Sequence, residues 1–348
     1  MMIINSHIHC FLACDIPDKF LPLRLVRFIA RQSGYEWLAA ILSNINPFSS
    51  RDTFDRYLSF VQTGRMGSQK AVFQECAQNY PDDTKFICLS LDMAYMGAGN
   101  VPRDYSQQLI ELKHLRDYYK ENGKNNVIPF IHIDPRRPEY YELFLQAIEQ
   151  WKFKGVKLYP PLGIFPYDNR LRPIYKYCQE KNIPVLAHCT AANPVFYKGK
   201  RRELLKLLEN SFIKIDYKKS NKDLCSYFTH PAGWKYVMNE YPDLKICLAH
   251  FGRETEWDTI ILEMMDRYDN LYADCSYTMA DAERWPMMKV RLLTNPQLMD
   301  RLLFGSDFYM SKIECSEKQF CINFRCFLGE KIWRQITSIN PEKFLNIS

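Results

Sequence analysis

The amino-acid sequence predicts a (β/α)₈ barrel, and three observations lead to this fold class. Eight short apolar segments recur along the 348 residues, helical segments follow most of them, and the first segment is not followed by a glycine-rich phosphate loop. Strand and helix alternating eight times is typical of a closed parallel barrel. The lack of a glycine-rich loop disfavours the alternative, a doubly wound open sheet that binds a nucleotide.

The predicted strands are segments of strand length, most of them rich in β-branched or aromatic residues. They span residues 2–5, 85–92, 126–134, 153–160, 183–189, 244–251, 270–276 and 301–307. Near-continuous apolar segments are what a parallel sheet covered on both faces requires.

The predicted helices show apolar residues at helical spacing between these strands. They span residues 104–123, 137–151, 171–182 and 255–268, with a terminal capping helix at 336–348. We expect residues 1–348 to form a single barrel domain of the size that such barrels have.

Two connections are longer than a barrel needs. A helical insertion is predicted after the first strand at about 17–63, with helices at 22–42 and 51–63, and a second long insertion at about 190–243. Long insertions after barrel strands usually cover the face that carries the active site.

Composition narrows the function class. The chain is 47% hydrophobic and 25% charged with a net charge of +6, so a disordered chain and a nucleic-acid-binding protein are both disfavoured. No apolar segment reaches membrane-spanning length, and the N-terminal segment lacks the features of a secretory signal. The twelve cysteines show no C-x-x-C spacing and are expected to be reduced thiols, which predicts a cytoplasmic protein.

Ionisable residues stand at the ends of five of the eight predicted strands. His7 and His9 stand at the C-terminal end of the first strand, and because they are two residues apart in extended backbone they point to the same face. Lys157, His188, His250 and Asp307 lie at or near the ends of strands four, five, six and eight. The C-terminal ends of the strands are where barrel enzymes place their chemistry.

A divalent metal ion explains this set, because burying so many ionisable groups without partners costs several kcal/mol. We assign His7, His9, His188 and Asp307 as ligands of one ion, and this donor set suits zinc, with manganese or iron as alternatives. A cation lowers the pKa of bound water, and Asp307 is expected to accept that proton as well.

Several stretches carry a family resemblance. The stretches "NSHIHCF", "FKGVKLYPP", "IPVLAHC", "ICLAHFG", "RLLFGSDF" and "NPEKFL" follow one another over nearly the whole chain. The sequence resembles the amidohydrolase superfamily of metal-dependent barrel enzymes, most of all the branch that contains aminocarboxymuconate-semialdehyde decarboxylase and the resorcylate decarboxylases. It departs at Asn5, where many members carry aspartate, and this position is expected to support the ligands.

The resemblance implies further roles. His250 is implied to be catalytic, by polarising a substrate carbonyl or by moving a proton, although it could be a further ligand. Lys157 could be carboxylated and bridge a second metal ion, could bind a substrate carboxylate, or could pack in the barrel. Asp134 and Arg253 are predicted as substrate contacts, with a loop salt bridge as the alternative for Arg253.

Three functions remain open at this point. The first is a metal-dependent hydrolase that acts on a C–N or C–O bond of a small, anionic molecule: an amide, a lactone or an ester. The second is a metal-dependent nonoxidative decarboxylase of an aromatic or dienoic acid. The third is a noncatalytic metal-binding scaffold. The sequence identifies neither the substrate nor the oligomeric state, and leaves a homodimer open.

Overall fold

Eight parallel strands form the centre of the computed structural model, which describes residues 2–20, 59, 62–192 and 194–347. The strands are β1 (Ile4–His9), β2 (Lys85–Leu89), β3 (Val127–His132), β4 (Gly155–Leu158), β5 (Val185–His188), β6 (Ile246–Ala249), β7 (Leu271–Asp274) and β8 (Leu302–Leu303). Each strand pairs in parallel with the next one along the chain. All eight predicted strands are present, and the predicted (β/α)₈ fold class is confirmed.

Backbone hydrogen bonds bring the last strand back to the first. The Ser6 amide donates to the Phe304 carbonyl at 2.8 Å, and the Asp307 amide donates to the His7 carbonyl at 2.8 Å. A bridge between Ile8 and Phe308 adds to them. These contacts nearly close the barrel, so the ends of β1 and β8 are adjacent.

Helices surround the strands. They are α1 (Gln69–Ala77), α2 (Tyr105–Glu121), α3 (Tyr140–Leu145), α4 (Arg172–Glu180), α5 (Arg201–Leu208), α6 (Asn221–Cys225), α7 (Trp234–Glu240), α8 (Thr255–Arg267), α9 (Trp285–Thr294), α10 (Pro296–Arg301), α11 (Glu317–Leu328), α12 (Glu330–Arg334) and α13 (Asn340–Leu345). The predicted helices at 104–123, 171–182 and 255–268 correspond to α2, α4 and α8. Within the described part of the chain, no helix combines the length and the apolar character that a membrane span needs.

The two predicted insertions have different outcomes. Most of the first, with the helices at 22–42 and nearly all of 51–63, lies outside the described residues and stays a prediction. The second, at 190–243, contains α5, α6 and α7. Leu204, Leu208 and Leu224 of this insertion pack with Phe165 and Phe228 in a small separate hydrophobic cluster.

The main hydrophobic residues form two layers. The inner layer fills the barrel and contains Ile4, Ile87, Leu89, Ile128, Phe130, Leu186, Cys247, Ala249, Tyr272 and Leu303, with Phe344 and Leu345 of α13 packed against them. The outer layer lies between the strands and the surrounding helices. Alternation along each strand assigns successive side chains to the two layers.

Strand β1 contains an irregularity that decides which of its side chains face inwards. Ile4 belongs to the inner layer, whereas Ile8, an even number of residues later, belongs to the outer layer. The register of β1 against β2 shifts between Asn5 and Ile8, as in a β-bulge. The shift directs both His7 and His9 into the barrel.

The inner layer predicts a cost for a single added methyl group. In Gly155→Ala, the new Cβ would lie 2.3 Å from the Phe130 ring. Because Phe130 is fully buried, we expect a loss of about 1–3 kcal/mol in the free energy of unfolding, measured by urea denaturation. Gly67→Ala is the matched control, since no atom lies within 4 Å of its added Cβ. Equal stability of the two variants would contradict the packing described.

Candidate metal centre

Three potential ligands converge at the C-terminal ends of β1 and β8. The ligand atoms of His7, His9 and Asp307 all lie within 4.8 Å of one another, and the three residues are buried. The sheet explains this convergence: the two histidines share a face of β1, and hydrogen bonds between β1 and the segment after β8 bring Asp307 beside them.

Hydrogen bonds determine the tautomers of both histidines. The Nδ1 atom of His7 lies 2.9 Å from an oxygen of Asp274, and the Nδ1 atom of His9 lies 3.2 Å from the Leu89 carbonyl oxygen. Both partners are acceptors, so each Nδ1 carries a proton and donates it. Each neutral ring therefore presents the lone pair of its Nε2 atom.

These lone pairs face the carboxylate of Asp307. The Oδ1 atom of Asp307 lies 3.5 Å from Nε2 of His7 and 3.4 Å from Nε2 of His9. It is buried and accepts no hydrogen bond from any described residue. Three acceptor atoms facing one another in a buried space repel, and a cation among them would remove the repulsion. The donor set fits a divalent metal ion.

Burial keeps the two histidines neutral. It lowers the pKa of His7 and of His9 well below the usual value, and the charge of Lys157 lowers both further. Burial also raises the pKa of Asp307 well above its usual value, which the nearby Lys157 opposes. A bound cation, like the charge of Lys157, would lower the pKa of Asp307 and favour its charged carboxylate form.

His188 and His250 form a second pair beside this group. Nδ1 of His250 lies 3.0 Å from the Ser276 carbonyl oxygen, so this nitrogen carries the proton and Nε2 accepts. Nε2 of His250 lies 3.0 Å from Nδ1 of His188, which therefore donates and leaves Nε2 of His188 with a lone pair. Tyr159 stacks on the His188 ring at 4.3 Å. His188 is not among the three residues that meet within 4.8 Å.

Lys157 reaches the same space from β4. It is fully buried, and its Nζ atom lies 3.4 Å from Nε2 of His7. Burial lowers the pKa of Lys157 to about 8, while the carboxylates of Asp274 and Asp307 oppose the decrease. A cationic group thus stands directly beside the converging acceptors.

Asp134 and Arg253, the two predicted substrate contacts, bind other groups of the protein. Both oxygens of Asp134 accept hydrogen bonds from the guanidinium of Arg136, at 2.9 and 2.6 Å. The guanidinium of Arg253 lies over the ring of Tyr277, 5.5 Å from its centre. A role for either residue in substrate binding stays a prediction.

Asp274 is a site residue that the sequence analysis did not select. It is buried and accepts hydrogen bonds from His7, from the Ser276 hydroxyl, and from the amides of Ser276 and His250 at 3.0 and 3.1 Å. A signal was present: Asp274 is the last residue of β7, a strand-end position like those that were selected. A carboxylate that orients a histidine supports a metal site without binding the ion.

Two residues of the site have unusual backbone angles. His250 has φ of 71° and Asp307 has φ of 59°, in the left-handed region that residues with side chains seldom adopt. The Asp307 amide is held by the His7 carbonyl, and the His250 amide by Asp274. Strain retained in this way is typical of functional sites.

Comparison with known proteins identifies the family. The sequence profile of the amidohydrolase family matches residues 121–347, more than half of the chain. The chain belongs to the amidohydrolase family. The family predicted from the strand-end motifs is thereby confirmed. No curated protein sequence matches the chain significantly.

Solved structures of low sequence identity share the fold. One is 5-carboxyvanillate decarboxylase from Novosphingobium aromaticivorans with bound manganese, which has 14% identity and a TM-score of 0.60 over 99% of this amidohydrolase and 97% of the other chain. Another is 4-oxalomesaconate hydratase from Rhodopseudomonas palustris, with 15% identity and a TM-score of 0.51 over 99% and 96%. At these identities the likeness shows a common barrel.

The contacts of Asp274 predict that Asp274→Asn lowers metal affinity. The amide is a poorer acceptor than the carboxylate for the Nδ1–H group of His7, so the ring is less well oriented. We expect a roughly 10- to 100-fold weaker affinity for zinc, measured by competition with a chromogenic chelator. Asp134→Asn is the control, because its partner is Arg136. Equal affinities in the two variants would exclude the orienting role.

Proposed function

We propose that this amidohydrolase is a metal-dependent hydrolase that acts on a C–N or C–O bond of a small molecule carrying a carboxylate. The observation that carries the proposal is the convergence of two Nε2 lone pairs and a carboxylate oxygen that accepts no hydrogen bond among the described residues. Such an arrangement is costly without a cation and favourable with one.

His7, His9 and Asp307 would hold the ion, and His188 would complete the set. His188 qualifies because its Nδ1 donates to His250, which leaves Nε2 free of a ring proton. Zinc suits these four donors, and manganese is supported by its presence in the decarboxylase of similar fold. The bound cation would supply Lewis acidity and a lower pKa of water.

The chemistry of the protein side chains follows from their positions. The carboxylate of Asp307, buried beside His7 and His9, would take a proton from an attacking water and pass it to the leaving group. His250 is anchored by the Ser276 carbonyl and contacts His188, so a proton held there lies next to the ion-binding residues. Lys157 would bind an anionic oxygen of the substrate.

Nonoxidative decarboxylation is the second candidate, and Lys157 favours it. This reaction requires a cation that holds the departing carboxylate and a group that delivers a proton to carbon. The buried Nζ atom of Lys157, 3.4 Å from His7, meets the first requirement. The similar fold of 5-carboxyvanillate decarboxylase, over nearly the full length of both chains, adds support.

Elemental analysis tests the metal site directly. We expect about one zinc or manganese per chain in the purified protein, and loss of the ion in His188→Ala and Asp307→Ala, because each change removes a ligand. His114→Ala, on the exposed side of α2, is the control. No metal in the wild type after incubation with either ion would refute both enzymatic proposals. About two ions per chain would instead support a carboxylated Lys157.

A product assay separates the two reactions. The manganese-loaded enzyme is incubated with 5-carboxyvanillate and related aromatic acids, and released carbon dioxide is measured. A parallel panel of lactones, amides and esters is followed by acid release. Hydrolysis predicts acid release alone. Release of carbon dioxide would instead show that the enzyme is a decarboxylase.

The Lys157 variants test the binding of the substrate carboxylate. We expect Lys157→Met to lose activity on carboxylate substrates at least about tenfold. Lys157→Arg retains the positive charge and should lose less activity.

A further inference from the structure

His132, the last residue of β3, is held by three hydrogen bonds. Its backbone amide donates to the Ser90 hydroxyl at 2.9 Å, and its carbonyl accepts from the Tyr105 hydroxyl at 2.7 Å. The Nδ1 atom of its ring accepts from the backbone amide of Asp92 at 3.1 Å. These contacts fix both the backbone and the ring orientation of His132.

The contact with Asp92 also fixes the tautomer. A backbone amide can only donate, so Nδ1 of His132 carries no proton and the neutral ring has its proton on Nε2. Burial lowers the pKa of His132 to about 3, which keeps the ring neutral. His132 is 1% exposed, and its Nε2 atom has no hydrogen-bond partner among the described residues.

The register of the sheet places His132 inside the barrel. His132 pairs with Lys157, and Lys157 pairs with Leu186 of the inner layer. Residues that pair in register point to the same face of a sheet. His132 is therefore the next inward-facing residue of β3 after Phe130, and it lies beside Lys157 of β4.

Two carboxylates flank His132 and are already engaged: Asp92, whose amide contacts the ring, and Asp134, two residues further along the chain. Asp92 accepts from the Nε atom of Arg137 at 2.6 Å, and Asp134 is held by Arg136. A neutral N–H donor and an ammonium group thus occupy adjacent strands at the C-terminal end of the barrel. A buried donor without an acceptor is costly, and an anionic oxygen beside Lys157 would satisfy it.

We propose that the Nε2–H group of His132 binds a carboxylate oxygen of the substrate, together with Lys157. This role rests on the proposed function and deepens it, since it assigns the preference for an anionic substrate to a pair of strand-end residues. His132 is a binding residue: it selects the carboxylate and holds it at the edge of the metal centre.

The test compares an acid with its neutral counterpart. The probes are 3-methoxy-4-hydroxy-5-nitrobenzoic acid and the corresponding benzyl alcohol, whose binding to the manganese-loaded protein is followed by the absorbance of the nitrophenol. We expect His132→Phe to weaken binding of the acid by roughly 10- to 100-fold and to leave binding of the alcohol nearly unchanged. His132→Gln, which retains an N–H donor, should recover part of the affinity. His114→Phe is the surface control.

Three results would overturn the proposal: unchanged affinity of His132→Phe for the acid, an equal loss for acid and alcohol, or a wild type that does not prefer the acid. Metal content is measured for every variant, so failure of the metal centre is recognised separately. A second readout uses metal-free protein labelled with ¹⁵N-histidine. Addition of the acid should shift the Nε2 resonance of His132, and a resonance that does not move would also overturn the proposal.

Discussion

Repulsion among buried acceptors is the constraint on which the candidate site depends. The Nδ1 atoms of His7 and His9 are committed as donors to Asp274 and to the Leu89 carbonyl, so their Nε2 lone pairs must face inwards. There they meet the carboxylate of Asp307. In a space from which water is excluded, this arrangement is costly unless a positive charge stands close to the three atoms, as the ammonium of Lys157 does and as a bound metal ion would. Three features hold these atoms in place: their positions at the strand ends, the contact between Asp274 and His7, and the left-handed backbone of Asp307.

The irregularity in β1 makes this arrangement possible. Without the register shift after Asn5, the alternation that places Ile4 in the inner layer would place His7 and His9 outside it. Asn5 itself links β1 to the segment after β8 that carries Asp307: its amide group donates to the Ser306 hydroxyl at 2.9 Å and accepts from the Ser306 backbone amide at 3.1 Å. A carboxylate at position 5 could accept from the Ser306 amide but could not donate to the Ser306 hydroxyl, so the neutral amide side chain is needed for both contacts.

Much of this structure could be predicted from local sequence patterns. Apolar segments of strand length indicated all eight strands, and the spacing of His7 and His9 indicated a shared face. Asp274 was missed because its segment, "NLYADCS", is explained equally well by a buried strand that ends in a turn. The engagement of Asp134 could not be foreseen, because it depends on how the loop after β3 directs Arg136. Likewise, the Nε2–H group of His132, which has no acceptor among the described residues, could be recognised only from the contact between Nδ1 and the Asp92 amide.

The closure between β1 and β8 has a consequence for biosynthesis. The contact between Asn5 and Ser306 joins residues 301 positions apart, and the ligand set spans a similar separation. Contacts so distant in sequence form only after the intervening chain has been ordered. While the chain is still on the ribosome, His7 and His9 emerge long before Asp307 and await it as exposed imidazoles. The proposed ion would therefore meet its complete set of ligands only after the barrel has closed, and before that point it could contact at most the two histidines.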